Sequence, residues 1–410
     1  MRLRVKPLAL LSFFTISFIL NTFSGLSGVL STLLSILLPA VLVCSLVQLV
    51  YSSLSFTFHQ TFSNDHPLKG EVVRYELHTA NESILPVAEG ICLFSAPGQL
   101  NAFRDSMPLS TGGGDSQVYT EEIRCAYRGT YIIGLSLYSF KESLGIFQLE
   151  ETIERRVFYV FPELVKLNSN IERLARSSGA DQPGSAASED DITIFEYIRE
   201  MQAGRSARRI AWKRWAATGI PGEIIHGQSR SSALTVVLDL WPLECQGADR
   251  LAAEDMAVSA LFSVLQYLSR ELIPVTMVLG GDEKRTLIDS SDDFTRLYDQ
   301  STNIIFSDTR FPSSAFLPGQ ATLLITTRPL IGKGQENVRA NTDLFTAFEH
   351  ALTRGCEPHM LICPPPSRAD EERKYLDTLI ERQAENGGKA RLALADSRRG
   401  AEDIINALCS

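Results

Sequence analysis

LALLSFFTISFILNTFSGLSGVLSTLLSILLPAVLVCSLVQLVYSSL, residues 8–54, contains no Asp, Glu, Lys or Arg. The charge-free interval extends from residue 7 to residue 64, with Arg2, Arg4 and Lys6 before it. A helix that crosses a bilayer needs about 20 apolar residues. The run at 8–23 is slightly short of that and the run at 26–54 exceeds it. Between them, residues 21–27 are polar enough to turn without adding a charge. The stretch therefore predicts two N-terminal transmembrane helices joined by a tight turn, an anchor over residues 1–55. A cleaved secretory signal would also begin with Arg/Lys and a short apolar run. Here no convincing small-residue cleavage site follows, and a second apolar segment comes at once. Three cations before the first span place that flank in the cytoplasm. Two spans return the remaining chain to the same side, whereas one would leave it outside.

Beyond the anchor the composition is that of a folded acidic body. The chain has 410 residues, 44% hydrophobic and 21% charged, enough for two or three domains with real cores. Outside the first six residues it carries 36 basic against 48 acidic residues, a net charge of −12. That balance disfavours a nucleic-acid binder. Seven cysteines, an odd number with no CxxC pair, make neither a disulfide framework nor a zinc site and favour a reducing compartment.

From residue 56 to 165 apolar residues alternate: GEVVRYELHT (70–79), LPVAEGICLF (85–94), GTYIIGLSLYSF (129–140) and RRVFYVFP (155–162) read as strands of a small β-sandwich. Gly112-Gly113-Gly114 reads as a loop, because no Lys-Ser/Thr follows to complete a phosphate cradle. SSGADQPGSAASEDD (177–191) has linker composition, and the flexible linker is expected over 166–191. A basic, aromatic segment fills 192–233. After it, over 234–410, strands alternate with helices, which calls for a doubly wound, largely parallel α/β sheet. The strands expected are LTVVLDL (234–240), PVTMVL (274–279), NIIF (303–306), ATLLITT (321–327), HMLICP (359–364) and ARLALA (390–395). A long helix at 249–272 carries the apolar stripe Val258, Leu261, Phe262, Leu265, Leu268 and Leu272. Further helices are expected at 341–353 and 368–385.

Three segments in this order resemble the bacterial family called domain of unknown function 58. Arg128-Gly-Thr-Tyr-Ile-Ile-Gly134, then Ser143-Leu-Gly-Ile-Phe147 and the strand ending at Pro162, look like that family's RGxYxxG … DPxGLF … VYP succession, with Glu142-Ser143 where Asp-Pro is usual. REMQAGRSARRIAWKRWAA (199–217) resembles RxYxxGDxxRxIxWxxxAR: Arg199, Gly204, Arg208, Ile210, Trp212 and Ala216 match, while Met201, Arg205 and Ala217 depart from it. The strand leading to Asp239 follows at the family's distance. The resemblance spans nearly the whole chain and marks a divergent member. It implies a two-span anchor, a β domain and a von Willebrand factor A-like α/β domain. It further implies a non-enzymatic interaction or assembly protein of the bacterial inner membrane, acting with a MoxR-type AAA+ ATPase and other von Willebrand A-like proteins in the maturation of envelope or protein complexes.

Such α/β domains often carry a metal-ion-dependent adhesion site, Asp-x-Ser-x-Ser after the first strand, whose oxygens suit a hard Mg²⁺ ion. Asp239 stands at the first position, but Trp241 and Leu243 at the others offer no oxygen ligand, so Asp239 is expected to be structural. No metal and no cofactor is expected. Arg199, Arg205, Arg208, Arg209, Lys213 and Arg214 around Trp212 and Trp215 read either as a basic, aromatic recognition surface or as a packed segment. In the packed reading Ile210 and Trp212 lie against the sheet and the arginines pair with acidic neighbours. Ligand contact is expected at the strand carboxyl ends: residues 239–244, Thr326-Thr327-Arg328 and Pro364-Pro365-Pro366. Six scattered histidines, without HExxH, a Walker A sequence or a nucleophile elbow around Ser229, give catalysis no motif. A metal-dependent adhesion domain and a hydrolase with an unrecognised site remain the alternatives.

Overall fold

A computed structural model of the chain describes residues 2–27, 29–86, 89–98, 105–109, 112–142, 144–167, 190–200, 212–220, 222–228, 234–245, 247–281, 285–313, 316, 320–331, 335–353, 356–385 and 391–409. These fall into two compact units, Met1–Glu163 and Leu164–Ser410. The expected linker at 177–191 lies almost wholly outside the described residues, as do Gly204, Arg205, Arg208, Arg209 and Ile210.

The first unit opens with a strand that periodicity does not announce, β1 (Arg2–Val5), followed by α1 (Pro7–Ser27) and α2 (Val29–Leu54). The remaining strands are β2 (Phe56–Phe62), β3 (Val72–Asn81), β4 (Glu89–Ser95), β5 (Ser106–Leu109), β6 (Ser116–Arg124), β7 (Gly129–Lys141), β8 (Phe147–Thr152) and β9 (Arg156–Val160). One sheet runs β2-β3-β6 and the other β1-β8-β7-β4-β5, with β9 also on β7. Every ladder among them is antiparallel. Buried residues of both sheets, including Val73, Tyr75, Leu77, Ile123, Ile133, Leu135 and Phe140, form one core. Alternation along β3, with Val73, Tyr75, Leu77, Thr79 and Asn81 inward, is the expected sandwich signature. β7 serves three partners and bends between them: residues 129–133 pair with β9, residues 137–141 with β8, and residues 134–141 also with β4. Gly134, at φ +115°, sits at the bend, where a Cβ would lie 2.7 Å from Gln60 Oε1. That buried amide oxygen accepts from Tyr75 Oη and from the Leu135 N–H, both at 2.9 Å, and so ties β2 to β7.

β1 pairs antiparallel with β8, Arg2 opposite Glu150 and Val5 opposite Phe147, and Arg4 makes an ion pair with Glu150 at 3.0 Å. The chain thus leaves the β domain through α1 and re-enters it through α2. Leu49 belongs to the β core, and Ala9, Leu10, Phe13, Leu42 and Leu46 pack against it.

In the second unit β10 (Asp190–Glu200) and β11 (Gly222–Gln228) form an antiparallel pair around α3 (Trp212–Thr218). The main sheet contains β12 (Leu234–Leu238), β13 (Val275–Leu279), β14 (Arg285–Ile288), β15 (Ala321–Thr326), β16 (Glu357–Ile362) and β17 (Arg391–Leu394). Its helices are α4 (Ala248–Arg270), α5 (Ser291–Asp299), α6 (Gln335–Thr353), α7 (Ala369–Glu385) and α8 (Asp403–Cys409). The spatial order is β14-β13-β12-β15-β16-β17, parallel except for β14. Counted from β12 this is 3-2-1-4-5-6, a doubly wound sheet whose order reverses between β12 and β15. α4 and α8 cover one face over Val236, Leu323 and Met277, while α6 and α7 cover the other over Val237, Leu324 and Met360. Burial on both faces explains why β12 reads as an unbroken apolar run.

Among the described residues two helices are long and apolar enough to cross a membrane, the part of α2 at Ile36–Leu54 and α4. α4, however, buries most of its length, Ala253 to Ser269, in the α/β core. It also stops short of expectation. Leu272 is not part of the apolar stripe but stands 76% exposed at φ +56°, in the left-handed turn that ends the helix. There the Leu272 and Ile273 N–H groups donate to the Ser269 and Leu268 carbonyls. The strand expected at 303–306 is likewise absent: a short 3₁₀ turn (Ser301–Asn303) leads into an extended segment with Ile305 exposed and Phe306 buried. Both edges of β12 are already taken by β13 and β15, and the segment joins no ladder of the sheet.

Candidate functional site

The crevice where a doubly wound sheet reverses is the usual place for a ligand. In this chain it is bounded by Asp239, just past β12, and by Thr326-Thr327-Arg328, ending β15. The register sets this up: Leu238 pairs with Ile325, and the Asp239 N–H donates to the Ile325 carbonyl at 2.9 Å. Asp239 is fully buried, and so is Arg328. The Arg328 Nε donates to Asp239 Oδ2 at 2.5 Å and Nη2 approaches Oδ1 at 3.4 Å. Thr326 Oγ1 donates to Oδ2 at 2.8 Å while accepting the Arg328 N–H at 3.0 Å. The guanidinium lies 4.2 Å from the centre of the Trp241 ring and 5.2 Å from that of Phe311. Burial pushes the Asp239 carboxyl up, and the guanidinium and the Thr326 hydroxyl oppose it. Among the described residues Arg328 Nη1 and Trp241 Nε1 find no acceptor.

This arrangement does not fit a divalent cation. Both carboxylate oxygens of Asp239 already face a positive charge, and Trp241 and Leu243, where hydroxyl ligands would stand, are buried apolar surface. Arg328 supplies internally the positive charge a metal would bring. Among the described residues no group of three His, Cys, Asp or Glu could hold a metal ion.

The expected contact loops are mostly closed as well. Residues 321–330 are all buried, as are Pro364 and Pro365, leaving Glu244 and Ser367 exposed at their rims. Glu372 accepts the Leu330 N–H at 2.7 Å and Arg368 donates to the Ile331 carbonyl at 2.9 Å, which fastens the β15 loop over α7. Beside this plug an apolar groove of about 550 Å³ opens between Leu240, Phe262, Met277, Leu279 and Ile305. The thiols are not set up as nucleophiles where burial acts on them: it pushes Cys92 up to about 12 and Cys125 to about 11.

The basic motif is only partly within the described residues. Arg199 lies on β10, and Trp212 and Ala216 lie on α3. Trp212 is not a buried residue. It is 60% exposed, with its ring 5.4 Å from that of Trp215, itself 38% exposed. Two neighbouring indoles on a short helix are an apolar surface that water alone covers poorly.

Sequence reading marked Asp239 and, as part of a separate contact loop, Arg328, but not that the two pair. The signal was present: a charged residue directly after the buried run ATLLITT has to be neutralised, and β12 and β15 are neighbours in a 3-2-1-4-5-6 sheet.

No family model matches the chain, and no curated protein matches it. Among solved structures, a cohesin module from a Clostridium perfringens family 33 glycoside hydrolase aligns at 12% identity over 26% of this chain and 96% of the module, with a TM-score of 0.20. The C-terminal domain of Wzt aligns at 10% identity over 27% of this chain and 75% of that domain, with a TM-score of 0.20. A family two carbohydrate esterase from Cellvibrio japonicus aligns at 8% identity over 86% of this chain and 97% of the esterase, with a TM-score of 0.21. Likenesses this slight carry no statement about the function of the chain.

Proposed function

We propose that this chain is a non-enzymatic, membrane-anchored interaction protein whose α/β unit offers partners a surface rather than a ligand pocket. The observation that carries the reading is the Asp239–Arg328 pair, which fills the crevice at the reversal of the sheet with the chain's own charges. The exposed Trp212–Trp215 pair supports it, since clustered tryptophans are typical anchors of protein interfaces. The 3-2-1-4-5-6 order with an antiparallel third strand supports assigning the α/β unit to the von Willebrand factor A-like type. Together with the preceding β domain and the apolar helical pair, it supports membership in the domain of unknown function 58 family. On that reading the partner is a MoxR-type AAA+ ATPase, with other von Willebrand A-like proteins, in the maturation of envelope or protein complexes.

α1 and α2 form a transmembrane hairpin in the bacterial inner membrane. β1 supports two crossings: its ladder with β8 keeps residues 2–5 on the side of the β domain, so the intervening chain must return. Arg2, Arg4 and Lys6 favour the cytoplasm for that side. Cross-linking in native membranes, then purification in detergent and mass spectrometry, tests the function. The expected result is an AAA+ ATPase or a second von Willebrand A-like protein, lost from a Trp212→Ala/Trp215→Ala variant. Recovery of the chain alone from well-solubilised membranes would overturn the reading.

A further inference from the structure

The β domain of the first unit presents two braced, apolar loop tips at the end from which α1 and α2 emerge. In the β3–β4 connection Ile84 is 87% exposed and Leu85 42%; in the β7–β8 turn Leu144 is 44% exposed. Neither tip is a loose loop. Asn81 Nδ2 donates to the Leu85 carbonyl at 2.9 Å, Ser83 Oγ donates to the same carbonyl at 2.5 Å, and the Gly114 N–H donates to the Ser83 carbonyl at 2.9 Å. Asn81 and Ser83 are themselves buried. At the other tip the buried Glu142 carboxylate accepts the N–H groups of Leu144 at 2.6 Å, Ile146 at 2.5 Å and Phe147 at 3.1 Å. Both tips stand against the helical pair: Gln48 of α2 donates to the Pro86 carbonyl, and the Lys6 N–H, just before α1, donates to the Ile146 carbonyl.

Helix length brings the lipid to the same level. α1 has 21 residues, about 31 Å at ~1.5 Å per residue, against a hydrocarbon layer of about 30 Å. It has no turn to spare, so hydrocarbon must begin at its first turn. Leu8 and Leu11 there, and Leu54 at the end of α2, are 82%, 63% and 72% exposed and need an apolar cover. That first turn also packs through Ala9 and Leu10 against the β core. The β domain therefore has no stand-off from the membrane. Behind the tips the polar groups Lys6, Glu82 and the Glu89–Lys141 ion pair at 3.7 Å mark the level at which water returns.

From this geometry we propose that the Ser83–Pro86 and Leu144 tips are a lipid-contact site, inserted into the bilayer interface beside the hairpin. The inference rests on the transmembrane reading of α1 and α2. Buried loop tips would fix the rotation of the β domain on the membrane, which two helices alone leave free.

The test uses the full chain in phosphatidylcholine/phosphatidylglycerol vesicles, with and without phosphatidylcholine brominated at carbons 6 and 7, which quenches nearby tryptophan. Single tryptophans are added at Ile84, Leu144, Leu33 and Val72, and the signal of the wild-type protein is subtracted. Val72 is 57% exposed at the opposite end of β3, about 30 Å away at ~3.4 Å per residue. Ile84→Trp and Leu144→Trp should emit at shorter wavelength than Val72→Trp and lose at least twofold of the added signal on bromination. If Leu33→Trp is quenched while positions 84 and 144 behave like Val72→Trp, the hairpin stands and the lipid-contact inference is overturned. If Leu33→Trp also escapes quenching, the anchor reading falls and takes the inference with it.

Discussion

Replacing Arg328 by methionine should destabilise the α/β unit by about 4 kcal/mol. Removing one partner of a buried ion pair costs roughly 3–5 kcal/mol, because the survivor is left desolvated and unpaired. Asp239, with no exposed surface, is such a survivor, and Thr326 Oγ1 is its only other side-chain donor among the described residues. Loss of the guanidinium from the Trp241 ring adds about 1 kcal/mol, which the methionine side chain offsets by filling the same space. For a unit of this size about 4 kcal/mol lowers the melting temperature by roughly 10 °C. Thermal unfolding of the detergent-solubilised protein, followed by tryptophan fluorescence in a Trp212→Phe/Trp215→Phe background so that Trp241 alone reports, measures it. Asp239→Asn alone should also destabilise. The double variant Asp239→Asn/Arg328→Met should recover about 2 kcal/mol or more relative to the sum of the singles, since no buried charge remains and the amide oxygen can still accept from Thr326. A fall of less than 2–3 °C for Arg328→Met, or strict additivity in the double variant, would refute the plug described above. So would a rise in the melting temperature of the wild-type protein on adding Mg²⁺.

Three further outcomes follow from other parts of the fold. His359, buried on β16 with no partner for either ring nitrogen among the described residues, is pushed down to about 4 by burial and by Arg391. The unfolded chain binds that proton first, so about 3 kcal/mol of stability is lost as pH falls from about 6.5 to about 4, and His359→Leu should flatten the pH dependence of the melting temperature. Glu142→Ala leaves three backbone N–H groups without their acceptor and should cost the β domain about 2 kcal/mol, with Glu142→Gln costing less; urea unfolding reads the difference. Leu272→Gly relieves a left-handed leucine whose side chain packs little, and should stabilise α4 by about 1 kcal/mol, seen as slower amide exchange at its last turn.

Much of this architecture is legible in the amino-acid sequence because burial imposes periodicity. The apolar run of β12, the alternation of β3 and the stripe from Val258 to Leu268 each follow from which faces are covered. What was not legible depends on partners distant in the chain. β1 is four residues of alternating charge and apolar character, and only β8, well over a hundred residues on, makes it a strand. The segment at 303–306 has strand composition but joins no ladder of the sheet. Leu272 continues the helical period past the point where the backbone turns. At the candidate site Trp241 and Leu243 stand in the sequence where oxygen ligands would be needed. The compensating Arg328 required knowing that β15 lies beside β12. Glu142, noted only as a departure from Asp-Pro, is the residue that holds its turn together.

The pairing of β1 with β8 also bears on how this protein can be handled. The strand that precedes the helical pair is part of the β domain's sheet, so cutting the chain after α2 removes an edge as well as two helices. The edge lost is short and carries Arg2 and Arg4, the kind that resists joining another chain. The one uncovered is Phe147–Thr152, whose backbone groups would lose their partner strand while the β core loses the cover of Leu46 and Leu49. A soluble fragment made that way is an incomplete sheet in search of a strand. A separately supplied peptide carrying the Arg2–Val5 sequence is the natural complement to try.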